Sequence, residues 1–278
     1  MPELPEVETM RRGIRGVVGS RVTDVSRVRC KLKPILVRPG IRSFRKRAVG
    51  QAIAEVGRIG KRVLLHLEQD DIVAFEPRMT GLVLLADPPD VEHLRFSIEL
   101  EGGDAKRLWY WDRRGLGSVH LFSRSELQQA LGPAKLGPDA LEVTAAELRR
   151  RLCASRRAVK VALLDQRVLA GVGNLYAAEL LNVARIHPQR RCDRLARHEW
   201  ERLASAMYEV LNEAIRYEGS TLTDGTYRNA LNDPGLYQNH HRVYGREGQP
   251  CRSCGNAAVQ RIVQAQRATF FCPNCQSR

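Results

Sequence analysis

"CRSCGNAAVQRIVQAQRATFFCPNC" (Cys251–Cys275) carries two Cys-x-x-Cys pairs, Cys251/Cys254 and Cys272/Cys275, set apart by residues 255–271. This is the spacing of a two-knuckle tetrahedral zinc site, each pair supplying two thiolates. The segment between the pairs alternates apolar and polar residues, which predicts two short strands joined by a tight turn. Two structural disulfides are the competing reading. The first residues resemble no signal peptide, and a reducing compartment favours the metal. Four thiolates leave no open position for water, so one structural Zn2+ per chain is expected. Arg261 and Arg267 lie in the hairpin and suit phosphate contact, while Glu247 is the only acid in residues 245–278. Small zinc ribbons also bind proteins, so the module alone does not choose its partner.

Charge narrows the choice. The 278 residues carry 45 Lys plus Arg against 31 Asp plus Glu, a formal charge of +14. Such an excess favours a polyanion, because neutralised phosphates release condensed counterions. A basic surface that serves solubility alone is the alternative. No apolar run approaches the roughly 20 residues that a membrane helix needs, so a soluble cytoplasmic protein with no membrane partner is expected. Cys30, Cys153 and Cys192 stand alone and read as buried or idle thiols.

Upstream of the zinc module the pattern is helical from Thr144. "TAAE" (144–147) reads as a capping box with Glu147 returning the bond. "VKVALLDQRVL" (159–169) and "LYAAELLNVARIHP" (175–188) continue the helical period. "HEWERLASAMYEVLNEAIRYEG" (198–219) forms a further helix, with Gly219 as its C-cap. Between them lies "AGVGN" (170–174). Gly171 and Gly173 permit positive φ and close backbone approach, and Asn174 is a cap candidate at a helix N-terminus able to seat phosphate. An ordinary helix–helix turn is the competing reading.

Residues 15–135 alternate short β-like runs, among them "AIAEVGRIG", "KRVLLHLE", "LRFSIEL" and "RLWYWD", with Gly, Asp and Pro punctuation. Strands at this density predict a sandwich or barrel. Lys61 begins one of these strands, where a solvent-facing edge lysine is the common case. The tip, "MPELPEVET", places acids and prolines at the start of a basic protein, although termini are usually frayed and tolerant of change.

Taken in order, "MPELPEVET" with "RRG", "GVGNLYAAE", "HP", "VYGREGQPCRSCG" and "AQRATFFCPNCQ" resemble the formamidopyrimidine-DNA glycosylases, with the endonuclease VIII group as sister. The resemblance spans nearly the whole chain. It implies an α+β multidomain architecture: an N-terminal helix plus β-sandwich (1–135), a helix-two-turn-helix domain (144–232) and a four-cysteine zinc-finger β-hairpin (243–278). It also implies a bacterial, nucleoid-associated base-excision repair enzyme acting on damaged double-stranded DNA. A single binding groove needs only a monomer.

By the same resemblance Pro2, exposed as an amine once Met1 is removed, attacks the deoxyribose C1′ and forms an iminium. An α-amino group titrates near about 7.7–8.0, so a share is nucleophilic at neutral pH. Glu3 falls on the family's general acid–base, with Glu6 one turn behind it. Without the resemblance these acids would read as first-turn helix residues favoured by the macrodipole. Lys61 falls on the strand lysine that assists the chemistry and contacts phosphate, and Arg267 on the hairpin arginine tied to the later elimination. Asn174 falls on the asparagine that holds backbone phosphates, and His93 and Arg156 on further DNA contacts. The flipped lesion leaves a gap. The family fills it with a Met, an Arg and a Phe, whose positions are Met79, Arg114 and Leu116 here. Leu116 can wedge bases apart but cannot stack like Phe. "FEPRMTG" stands in place of the usual His-Leu-Gly before Met79, and Arg113 in place of a common proline. These loops leave the lesion range and opposite-base preference open. The "PELPEVE" start favours oxidised purines over the sister group's pyrimidines. A zinc DNA-binding protein without catalysis is the third reading, against which Pro2, Glu3, Lys61, Asn174 and Arg267 stand together.

Overall fold

A computed structural model describes residues 1–277. The chain forms two compact units, one of Met1–Gly132 with Tyr217–Leu236 and the other of Pro133–Arg216 with residues 237–277.

The first unit starts with α1 (Leu4–Gly13), capped by Glu3 and with Pro5 in its first turn. Proline there costs no intrahelical bond and presets φ. Val7, Met10 and Ile14 recur at helical spacing and are fully buried. The chain continues through β1 (Arg21–Arg27), β2 (Leu36–Arg38), α2 (Ile41–Ala48), β3 (Ile53–Ile59), β4 (Arg62–Leu67), β5 (Ile72–Glu76), β6 (Gly81–Leu84), β7 (Leu94–Glu101), β8 (Arg107–Asp112), β9 (Ser118–Phe122) and α3 (Arg124–Leu131). One sheet has the order β1-β7-β8-β6 and the other β2-β9-β5-β4-β3; β2 and β9 run parallel and the remaining pairs antiparallel. The expected β-sandwich is therefore present, with α1 packed against β3, β4 and β6. Its core joins Phe44, Phe75, Phe96 and Tyr110 to the apolar face of α1. Each such side chain contributes about 1.5–3 kcal/mol on burial. Tyr110 keeps its hydroxyl satisfied by donating to Glu76 O at 2.8 Å. Lys61 lies in the turn before β4 rather than within the strand, because Gly60, at φ +54, completes a tight turn closed by the Ile59/Arg62 pair.

The second unit holds α4 (Ala145–Leu152), α5 (Val159–Leu163), α6 (Asn174–Val183), α7 (Arg197–Arg216) and the hairpin β10 (Gln260–Gln264)–β11 (Arg267–Phe271). Thr144 caps α4 by accepting Glu147 N–H, but the Glu147 carboxylate turns to Arg150 and Arg151 instead of completing a box. The helix expected over 159–169 stops at Leu163. Beyond it Gln166 clasps the following loop, donating to Val172 O and accepting Gly171 N–H, so its amide does locally what a further helical turn would have done. Gly171 takes φ +108, whereas Gly173 is extended and serves as N-cap of α6, leaving Asn174 as the first helical residue. α7 ends at Arg216, and Gly219 (φ +79) lies beyond it in the segment that packs with the first unit.

α6 is buried from Leu175 to Asn182, as befits a helix that is apolar nearly all round. Its buried Glu179 and Asn182 are both used. The Glu179 carboxylate accepts the N–H groups of Arg242, Val243 and Tyr244 at 2.7, 3.0 and 2.8 Å, and Asn182 donates to Gln276 at 3.0 Å. Burial raises the Glu179 carboxyl above its ordinary range, with the three N–H bonds opposing. Among the described residues no helix is long and apolar enough to cross a membrane.

Candidate DNA-binding and catalytic site

The N-terminal tip is specified rather than frayed. Met1 is 40% exposed, yet Pro2 and Glu3 are buried. Glu3 and Glu6 form a reciprocal capping box, in which Glu6 accepts Glu3 N–H at 2.9 Å. The other Glu6 oxygen accepts Ser220 N–H at 2.9 Å. One carboxylate thus ties the tip to the segment 217–236, and both early acids have helix-capping work in addition to any chemistry.

Sequence reasoning missed Glu8. It is 5% exposed and gathers three arginines: Arg11 at 2.7 Å, Arg12 at 2.8 Å and Arg58 at 3.1 Å. Burial pushes its carboxyl up, but the arginine bonds and charges outweigh this and bring it from 4.5 down to about 2. Arg58 also donates to Gly60 O at 2.9 Å. Glu8 and Arg58 therefore link the helix that presents Pro2 and Glu3 to the turn that presents half-buried Lys61.

Met79, Arg114 and Leu116 come from two loops held by one buried acid. Asp112 is fully buried. Its Oδ1 accepts from the Thr80 hydroxyl and from Arg114 N–H, and its Oδ2 accepts Gly117 N–H at 2.8 Å. Thr80 Oγ1 in turn accepts Arg114 N–H at 2.9 Å. The loop that carries Arg114 and Leu116 is thereby fixed to the residue after Met79. Gly115 has φ +60, and a Cβ there would lie 2.4 Å from Lys33 O, so no other residue fits that bend. Arg114 is exposed, Met79 is 36% exposed and Leu116 is half-buried. His93 is half-buried, with its ring Nδ1 and backbone N–H on Asp90 at 2.8 and 2.9 Å and its ring edge-on to Trp111. Burial pushes the Asp90 carboxyl up, but its bonds to His93 leave it below the usual range.

In the second unit Asn174 and the strand of Arg267 are brought together. Asn174 Nδ2 donates to Ala268 O at 3.0 Å, while its Oδ1 accepts from Lys160 Nζ at 2.7 Å. Lys160 is fully buried and also donates to Thr269 Oγ1 at 2.6 Å and Ala268 O at 3.1 Å. A buried ammonium needs such a set of acceptors. Arg267 itself is exposed at the start of β11, after a turn whose two residues, Ala265 and Gln266, both have positive φ (+46 and +60). Arg156 is exposed in the α4–α5 connection.

The four cysteines converge. Their sulfurs lie within 4.8 Å of one another, with Cys251–Cys275 at 3.9 Å and Cys254–Cys272 at 3.7 Å. A disulfide would need about 2.05 Å, whereas a tetrahedron with Zn–S of about 2.3 Å has edges of about 3.8 Å. The donor set fits zinc.

With this geometry in view, comparison with known proteins is direct. Residues 1–119 match the formamidopyrimidine-DNA glycosylase N-terminal domain, 136–226 its H2TH domain, and 248–278 the zinc finger found in FPG and IleRS. The chain belongs to the formamidopyrimidine-DNA glycosylase family. The glycosylase of Chloroflexus aurantiacus is 38% identical over 281 residues, covering 99% of this chain and 98% of that protein. The crystal structure of MutM (Fpg) from Thermus thermophilus superposes with a TM-score of 0.86 at 40% identity, over 100% of this chain and 99% of that one. A mutant Lactococcus lactis Fpg in complex with Fapy-dG-containing DNA gives 0.88 at 32% identity, over 100% of both chains. The family assignment and the mixed fold of sandwich, H2TH helices and zinc hairpin agree with the reading of the sequence.

Proposed function

We propose that this protein is a bifunctional DNA glycosylase and abasic-site lyase that excises oxidised purines, formamidopyrimidine and 8-oxoguanine, from damaged double-stranded DNA as a monomer. The observation that carries this reading is the buried, capped N-terminus, which sets Pro2 directly before Glu3 on an anchored helix in a member of this family.

On this reading, loss of Met1 turns the Pro2 nitrogen into a secondary amine. The amine attacks C1′, the C1′–base bond breaks, and Glu3 manages the proton that opens the sugar. The resulting iminium acidifies the C2′ hydrogen. Its removal expels the 3′ phosphate by β-elimination, and a second elimination frees the sugar. Lys61, Asn174 and Arg267 hold flanking phosphates, with Lys61 and Arg267 also assisting the eliminations. His93 and Arg156 add backbone contacts. Met79, Arg114 and Leu116 fill the place of the flipped nucleotide. Cys251, Cys254, Cys272 and Cys275 hold one structural zinc, whose contribution is to fix the hairpin that carries Arg267.

The test is borohydride trapping on duplexes with 8-oxoguanine, formamidopyrimidine, thymine glycol or an abasic site. The protein should form a covalent adduct with the two purine lesions and the abasic site, and Pro2→Gly should lose it. An adduct confined to thymine glycol would shift the assignment to the pyrimidine-specific sister group. No adduct on any substrate would leave a zinc DNA-binding protein without catalysis.

A further inference from the structure

The turn between β5 and β6 carries Glu76-Pro77-Arg78 directly before Met79, where the resemblance leads one to expect His-Leu-Gly. Arg78 adopts φ +48, a left-handed conformation that glycine takes freely and a long side chain takes only at a cost. Strain of this kind persists only where the surrounding structure imposes it, and it clusters at active sites and ligand clamps. Glu76 in turn introduces a negative charge beside a wedge expected to meet phosphates, and two arginines answer it. Its Oε1 accepts from Arg62 Nη2 at 3.0 Å and lies 3.4 Å from Arg78 Nε. The three groups together carry one net positive charge. The contact to Glu76 uses Arg78 Nε, so the outer edge of the guanidinium remains directed to solvent, with the side chain 59% exposed.

Arg78 also lines a cavity of about 490 Å³ together with Lys33, Glu76, Leu116 and His120. Two permanent cations and the wedge residue thus share one concave surface immediately beside Met79. Burial lowers the affinity of the His120 imidazole for protons, with Arg38 and Arg62 adding to this and Glu76 opposing it, so the positive charge of the cavity comes from Arg78 and Lys33. An exposed planar guanidinium whose Nε faces a carboxylate at 3.4 Å presents a fork suited to phosphate oxygens.

We infer that Arg78 is a phosphate clamp for the DNA backbone beside the wedge, held in reach by Glu76, making a contact that a glycine at this position has no side chain to make. The inference rests on the glycosylase reading for the identity of the polyanion. It is tested by fluorescence anisotropy with a duplex containing tetrahydrofuran, an abasic analogue that cannot form the iminium, across a series of salt concentrations.

Arg78→Gly should weaken binding by about fivefold to tenfold and reduce the slope of log K against log salt by about one. Arg78→Lys should restore the slope but only part of the affinity, since a point charge lacks the fork. Glu76→Gln keeps an oxygen that can accept from Arg78 Nε while removing the opposing charge, so it should keep the slope and bind at least as tightly as the unmodified protein. Because glycine relaxes φ +48, the Tm of Arg78→Gly should be equal or higher, which separates lost contact from lost fold. Unchanged affinity and slope in Arg78→Gly would overturn the inference, and so would a loss of binding accompanied by a fall in Tm. Borohydride trapping of the unmodified protein on a true abasic duplex is run alongside. Failure there removes the glycosylase reading, while the salt slope still decides the role of Arg78.

Discussion

Three arginines around Glu8 show how a single side chain can position two others that are far apart in sequence. The carboxylate is held from 4.5 down to about 2 against the upward push of burial. A depressed carboxyl contributes stability that is present above its unfolded value and is lost as pH falls through the folded one. Glu8→Gln should therefore be less stable than the parent at neutral pH, with the gap closing between pH 4.5 and about 2. Urea unfolding at a series of pH values measures that difference directly, and a gap independent of pH would show that the arginines do not hold this charge. Little of this was legible in the sequence. Glu8 reads as one more first-helix acid, and Asp112 as a strand-end residue. Their importance comes from partners such as Arg58 and Gly117, which only the folded chain brings near. Cysteine spacing, by contrast, is local chemistry, and it picked out all four converging thiols.

At the level of elements the zinc hairpin is the clearest case of local pattern and backbone geometry in conflict. Alternation correctly marks β10 and β11, with Gln264 paired to Arg267. The two-residue turn between them requires positive φ twice, a geometry that usually selects Asn-Gly, yet it contains Ala265 and Gln266. Gln266→Gly should raise the stability of the zinc-loaded protein by about 1 kcal/mol through relief of the left-handed strain. Thermal unfolding checks it, and an unchanged or lowered Tm would mean that the Gln266 side chain makes a compensating contact. The α6 start was also only half legible. A Gly-rich turn before a helix was evident, but Asn174 reads as a cap because Asn is a common one. Its side chain instead bonds Lys160 and Ala268, and Gly173 takes the cap. A buried lysine cannot be told from a surface lysine by its neighbours in sequence.

Over the whole chain the order of strands is what sequence pattern leaves out. Every run that alternates became a strand or nearly so, but β1-β7-β8-β6 and β2-β9-β5-β4-β3 join residues distant in the chain, and one parallel pair, β2 with β9, has no local signature. The segment Tyr217–Leu236 likewise follows a helix of the second unit and packs with the first, and periodicity is blind to such a return. The N-terminus joins these scales. α1 begins at Leu4 with Glu3 as its cap, and of the residues before it only Met1 projects. An aminopeptidase cleft must engage chain on both sides of the bond it cuts, and here the Pro2 side is already enclosed. If Pro2 is the nucleophile proposed above, Met1 must leave at the time of synthesis, before the helix and its capping box close. Purified protein that retains Met1 should resist methionine aminopeptidase when folded and yield to it when denatured, as intact mass would record. On the proposed mechanism the consequence is one of biogenesis: a copy that folds with Met1 in place has no Pro2 amine to offer, and its competence is decided while it is being made.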